Sequence, residues 1–127
     1  MADTFHELYG SLIKDVFLER ARQELEQGAD GLARAYAYAD EGKVDFVLAH
    51  VLLSAIPDDV KREIFARAYE RRATLSDDKA EDFARRYHRS FPLIKLEAQK
   101  DRLSAQQIRQ QKPVQQRGKM GSQLANS

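Results

Sequence analysis

From Thr4 the apolar positions Phe5, Leu8, Tyr9, Leu12, Ile13, Val16, Phe17, Ala21 and Leu25 recur at intervals of three and four residues. Only an element of 3.6-residue period gathers such positions onto one face. The pattern predicts a first helix over about 4 to 27, opened by Thr4 with Glu7 three residues on and closed at Gly28, with Gly10 tolerated inside it. Asp30 is placed to cap a second helix of about 31 to 41, which Gly42 ends. Its small residues Ala33, Ala35, Ala37 and Ala39 allow a neighbouring helix to approach closely. A third segment, about 44 to 55, is apolar nearly all round, and a helix of that kind has to be central.

Pro57 fixes the φ of a first helical turn, and Asp58 and Asp59 follow where the positive end of the helix dipole favours carboxylates. A fourth helix, about 57 to 73, then presents Val60, Ile64, Phe65, Ala68 and Tyr69. Ser76 before Asp77 and Asp78 predicts a new start and a fifth helix with Ala80, Phe83, Ala84 and Tyr87 inward. Pro92 opens a sixth helix carrying Leu93, Ile94, Leu96, Leu103 and Ile108, which extends from the body and frays near Gln111. The remainder, "KPVQQRGKMGSQLANS", lacks acidic residues and bulk apolar surface, which predicts disorder from 112. No segment alternates as a strand does. The expected fold is all-α: a compact bundle of about five antiparallel helices over 1–92, a basic helix over 93–111 and a basic tail over 112–127.

The tetrapeptide Ala-Arg-Ala-Tyr occurs at Ala33 to Tyr36 and at Ala66 to Tyr69. Each copy precedes a second predicted helix and then a serine and a proline, so the echo is either a repeated helical hairpin or chance. If it is a repeat, Tyr36 and Tyr69 occupy equivalent places. Through Ala35, Tyr38 and Gly42 the first copy resembles a tetratricopeptide hairpin. It departs from that family at Val47 and Asp59, and the second copy lacks a glycine turn. The resemblance implies the geometry of an antiparallel helix pair and no more.

At 127 residues and 32% charged residues the chain has the size and composition of one globular domain, and no run approaches the length of a membrane span. The N-terminus has no basic and apolar leader pattern, and a cytoplasmic location is expected. There is no cysteine, which excludes disulfides and thiolate chemistry. Net charge is +1, yet residues 1 to 60 hold 5 Lys/Arg against 12 Asp/Glu, a net of −7, whereas residues 61 to 127 hold 16 against 8, a net of +8. Such polarity suits internal packing, self-association or an anionic partner.

Candidate chemistry is sparse. His6, His50 and His88 lie far apart without metal-ligand spacing, so no metal and no cofactor is expected. His50 and Ser54 are four positions apart on the apolar third helix, the one arrangement from which an activated serine could be built, but the sequence places neither an orienting carboxylate nor an oxyanion turn beside them. Asp58 with Asp59 and Asp77 with Asp78 are explained by helix starts. The chain is therefore read as a non-catalytic helical adaptor or regulatory protein that binds another protein. Tyr36 and Tyr38 would line a groove, and Arg85, Arg86 and Arg89 would steer an acidic partner or a second copy of the chain. The alternative is a nucleic-acid-binding accessory protein contacting phosphates through Lys95, Lys100, Arg102, Arg109, Lys112, Arg117 and Lys119.

Overall fold

The computed structural model describes residues 4–114, and among these every regular element is helical. Helix α1 spans Phe5–Tyr9 and is capped by the Thr4 hydroxyl, which accepts the Glu7 N–H at 3.2 Å. A 3₁₀ turn over Gly10–Leu12 and two extended residues, Ile13 and Lys14, lead into α2, Asp15–Glu26. The single helix expected over 4 to 27 is thus two. The break lets Phe5 and Tyr9 bury themselves around the Phe65 ring, with centroids 5.6 and 5.7 Å from it. Phe17 on α2 turns to another partner and meets Phe46 edge-on at 5.1 Å. Gly10 falls at this junction, where its low helix propensity makes departure cheap.

Helix α3, Gly31–Asp40, begins as the sequence predicts, with the Asp30 carboxylate accepting the N–H groups of Leu32 and Ala33. Gly31, Ala35 and Ala39 form its buried edge, while Ala33 and Ala37 face solvent. Gly42, at φ 70°, closes the turn into α4, Val44–Leu53. Helix α4 buries Val44, Val47, Leu48, Ala49, His50 and Val51 and packs against α2, α3 and α5, which makes it the centre of the body.

Helix α5 runs without interruption over Asp58–Tyr87, 30 residues, where two helices separated by a turn near Ser76 are expected from sequence. The physical reason is that no glycine or proline interrupts this span, and α6, Pro92–Arg109, packs along it. Asp77 caps nothing and instead takes an ion pair from Arg102 of α6. The helix ends where His88 enters the left-handed region at φ 54°. One consequence concerns the repeated tetrapeptide. Its second copy lies inside a continuous helix, so the two copies are not superimposable hairpins. Tyr36 is 40% exposed on α3, whereas Tyr69 is half-buried edge-on to Phe65 at 5.2 Å.

Helix α6 also differs from expectation. It does not extend from the body alone but lies against α5, presenting Ala98, Asp101, Ala105 and Ile108 to it. Leu93, Leu96 and Leu103 face outward, because the alanines, not the leucines, form the contact edge. Beyond it, Val114 packs on the core and the Lys112 carbonyl accepts the Tyr9 hydroxyl at 2.8 Å. Residues 112–114 are therefore part of the fold, and the rest of the expected tail lies outside the described residues.

The hydrogen bonds that α1 and α3 make to α5 fall at Asp58, Lys61, Arg67 and Arg71, among the described residues. The α3–α4 turn reaches α5 at Arg72. Past Ala73 the single buried residue of α5 is Ala80. Among the described residues the distal half of α5, about 20 Å long at 1.5 Å per residue, is thus covered by α6 alone, and the two helices form an arm standing clear of the body.

Two substitutions test this architecture. Proline is tolerated in the first turn of a helix but costs about 3 kcal/mol inside one. Asp78→Pro is therefore expected to lower helicity and urea stability by about that amount, and an unchanged midpoint would mean that a new helix starts at Ser76. Gly42→Ala places a methyl group 2.9 Å from the Arg72 Cα at a positive φ. It should cost about 2 kcal/mol or more in denaturant unfolding.

Candidate docking surface

Two clusters of side chains attract functional interest, one polar and one largely apolar. The first is built on Glu24 of α2, whose side chain is only 10% exposed. The Tyr38 hydroxyl donates to its Oε1 at 2.5 Å, and His50 Nε2 lies 2.9 Å from its Oε2. Arg34 and Arg20 approach the same carboxylate at 3.3 and 3.6 Å. Burial by itself raises the Glu24 pKa, but the hydrogen bonds from Tyr38 and His50 and the charge of Arg34 outweigh it and hold the carboxyl below its ordinary value. Burial and the bond to Glu24 push the Tyr38 phenol up.

Here the structure supplies the orienting carboxylate that sequence spacing could not place. It does not complete a nucleophilic site. His50 is fully buried, its ring stacks on Tyr38, and its Nδ1 has no hydrogen-bond partner. Ser54 lies beyond the end of α4 against Gly31, where a Cβ would fall 1.9 Å from the serine oxygen. The cluster ties α2, α3 and α4 together by polar bonds. Among the described residues no group of three or more His, Asp or Glu is arranged to hold a metal ion.

The second cluster is the arm. Phe83, Tyr87 and Phe91 stack edge-on around the α5–α6 turn with centroids 5.5 to 6.1 Å apart. Their packing closes the tip but does not cover it: Tyr87 stays 59% exposed, and Leu93 beside it 75%. Leu96 and Leu103 continue the apolar stripe along the outer side of α6. Around these apolar groups stand Arg85, Arg86, Arg89 and Lys95, and no carboxylate occurs between Asp82 and Glu97. Arg85 and Arg86 reach Asp82 at 3.6 and 3.2 Å, and Arg89 lies over the Phe91 ring at 4.9 Å.

The tyrosines and arginines expected to share one surface are separated. Tyr36 is on α3 beneath Arg67, and Tyr38 faces inward to Glu24 and Phe46. Arg85 is 14 residues beyond Arg71, the level on α5 reached by the end of α3, which corresponds to roughly 20 Å of helix. Of the five described cations assigned to phosphate contact, three are paired with carboxylates. Arg109 is held by Glu63 and Glu70, whose hydrogen bonds raise its pKa further. Arg102 pairs with Asp77 and Lys100 with Glu97. Lys95 and Lys112 are exposed, and Arg117 and Lys119 lie outside the described residues. What sequence reasoning missed is the outward stripe of Leu93, Leu96 and Leu103. Its spacing of three and seven residues is that of a second helical seam, visible once Ala98 and Ala105 are taken as the inner edge.

Comparison with known proteins finds no matching family model, no matching curated protein and no matching solved structure.

The Glu24 cluster generates a pH prediction. A carboxyl whose folded pKa lies below its unfolded value contributes stability that is present above the unfolded value and is lost as pH falls through the folded one. Stability should therefore drop on acidification from about pH 4.5 downward. Glu24→Gln should flatten that limb, and Glu24→Ala, which strands the buried His50 and the half-buried Tyr38 hydroxyl, should cost about 2–4 kcal/mol at neutral pH. Urea titrations at several pH values provide the measurement.

Proposed function

We propose that the protein is a non-catalytic helical adaptor that binds another protein through its α5–α6 arm. The observation carrying this proposal is the tip, where Tyr87, Leu93 and Leu96 are exposed together among Arg85, Arg86, Arg89 and Lys95. Exposed aromatic and arginine side chains are the types that dominate binding energy at protein interfaces. A local excess of cations steers an acidic surface toward them and rejects a basic one. The body supports the arm without competing for it: the Glu24 cluster is consumed in joining helices, and its one unpartnered nitrogen, His50 Nδ1, is fully buried.

Nucleic-acid binding through the C-terminal half is less well supported. Arg109, Arg102 and Lys100 are paired with carboxylates of this chain, so three of the expected phosphate contacts would have to break those pairs first. Among the described residues no helix is long and apolar enough to cross a membrane.

The arm is tested by capturing partners from an extract of the native cell with the full chain and with the double variant Leu93→Ser, Leu96→Ser. Both leucines are solvent-facing, so folding should be unaffected. A specific protein should be retained by the wild type and reduced at least tenfold by the variant. Val16→Ser, an exposed apolar change on α2, should leave it unaltered. Retention indifferent to the arm leucines would remove the arm from the binding surface.

A further inference from the structure

The acidic surface that fits this arm is present on the arm itself. Along α5, Asp77, Asp78, Glu81 and Asp82 are followed within four residues by Arg85 and Arg86, and the helix ends at Tyr87. Ala73 and Ala80 are buried. At about 100° per residue, Leu75, Asp78, Asp82, Arg85 and Arg86 share an arc of about 100° centred roughly opposite Ala80, with Glu81 at its margin. Leu75, Asp78, Glu81, Arg85 and Arg86 are exposed and Asp82 is half-exposed.

We propose that a second copy of this chain docks antiparallel on the free face of α5, about a twofold axis passing between Phe83 and Ala84. This rests on the assignment of the arm as a protein-docking element. In an antiparallel pair related by a twofold axis, residues on the same side of the two facing stripes meet. That rule sets Glu81 opposite Arg85 of the second copy and Asp82 opposite its Arg86. Each contact occurs twice, because an isologous interface repeats every pair. Parallel pairing would instead bring acid against acid and base against base, so the charge order selects one orientation. Lys79, the one cation within the acidic run, is drawn aside over the Phe83 ring at 5.5 Å. Asp82 already bonds Arg85 and Arg86 within the chain, so association exchanges exposed local pairs for shared ones. The same alignment brings Leu75 of each copy to the level of the other's tip, where Tyr87 and Leu93 are exposed.

The test is sedimentation of the full chain at about 50 mM and about 0.5 M salt, since surface charge pairs are screened over this range. A dimer at low salt, with an association constant falling at least tenfold at high salt, is expected. Two charge-reversed chains, Arg85→Glu with Arg86→Glu, and Glu81→Arg with Asp82→Arg, should each be monomeric, and their equimolar mixture should form a one-to-one heterodimer. If a double reversal disturbs the arm, as circular dichroism would show, Arg86→Glu and Asp82→Arg carry the same logic singly. A wild type monomeric at low salt overturns the proposal, as does a dimer surviving both reversals or a mixture that stays monomeric. Capture of a different protein through Leu93 and Leu96 by a monomeric chain would leave the docking role of the arm standing and reject the second copy as its occupant.

Discussion

Arg72 is the point on which the architecture turns. Its guanidinium donates twice to the Asp101 carboxylate of α6, at 2.8 Å on each side, and lies over the Tyr69 ring at 5.1 Å. Its backbone is the floor on which Gly42 closes the α3–α4 turn. Burial works against the Arg72 charge, yet the bonds and charge of Asp101 outweigh it and raise the pKa. A bidentate pair of this kind fixes direction as well as distance, so it sets the register of α6 along α5. Breaking one side would leave a charge in a place that water reaches poorly, with Asp101 only 3% exposed. Three chain segments thus meet at one residue.

The same residue marks where the body ends. Up to Arg72, α5 is enclosed by α1, α3, α4 and α6, with Phe5, Tyr9, Val47, Leu48, Val51, Ile64 and Phe65 in a common core. After it, a two-helix arm continues with small side chains between the helices and large ones outside. Two helices alone cannot enclose the leucines of both, so in the arm alanine at 98 forms the contact edge and Leu93 and Leu96 stay outside. The exposed stripe follows from that division. At the far end of α6, Arg109 is gripped by Glu63 and Glu70, which holds the base of the arm to the body by exposed pairs that guide orientation more than they stabilise.

Local signals gave reliable boundaries where a residue's conformation is intrinsic. Asp30 as a cap, Gly42 at positive φ and Pro92 at a helix start act through their own backbone, and each is found where its chemistry places it. The errors arose where a long-range partner decides. Ser76, Asp77 and Asp78 have the composition of a helix start, but Arg102 satisfies Asp77 from 25 residues away and the helix continues. Gly10 is compatible with a helix interior, and the need of Phe5 and Tyr9 for Phe65 is what breaks the chain there. The Glu24–His50 contact joins residues 26 apart and had no local signature. His50 was identifiable as unusual on an apolar helix, but its partner became visible only with the packing of α2 on α4.

The architecture depends on α5 being one rigid element that carries the arm away from the body, and a distance measurement addresses this directly. The chain has no cysteine, so single cysteines placed at Asp59 and Arg86, both exposed, can be spin-labelled without interference. Twenty-seven residues of continuous helix separate them, which corresponds to about 40 Å at 1.5 Å per residue. Pulsed electron–electron resonance on the doubly labelled chain, diluted with unlabelled protein, should give a narrow distribution near that value. A distribution centred below about 25 Å, as two antiparallel helices joined near Ser76 would produce, would mean that α5 is not one continuous helix.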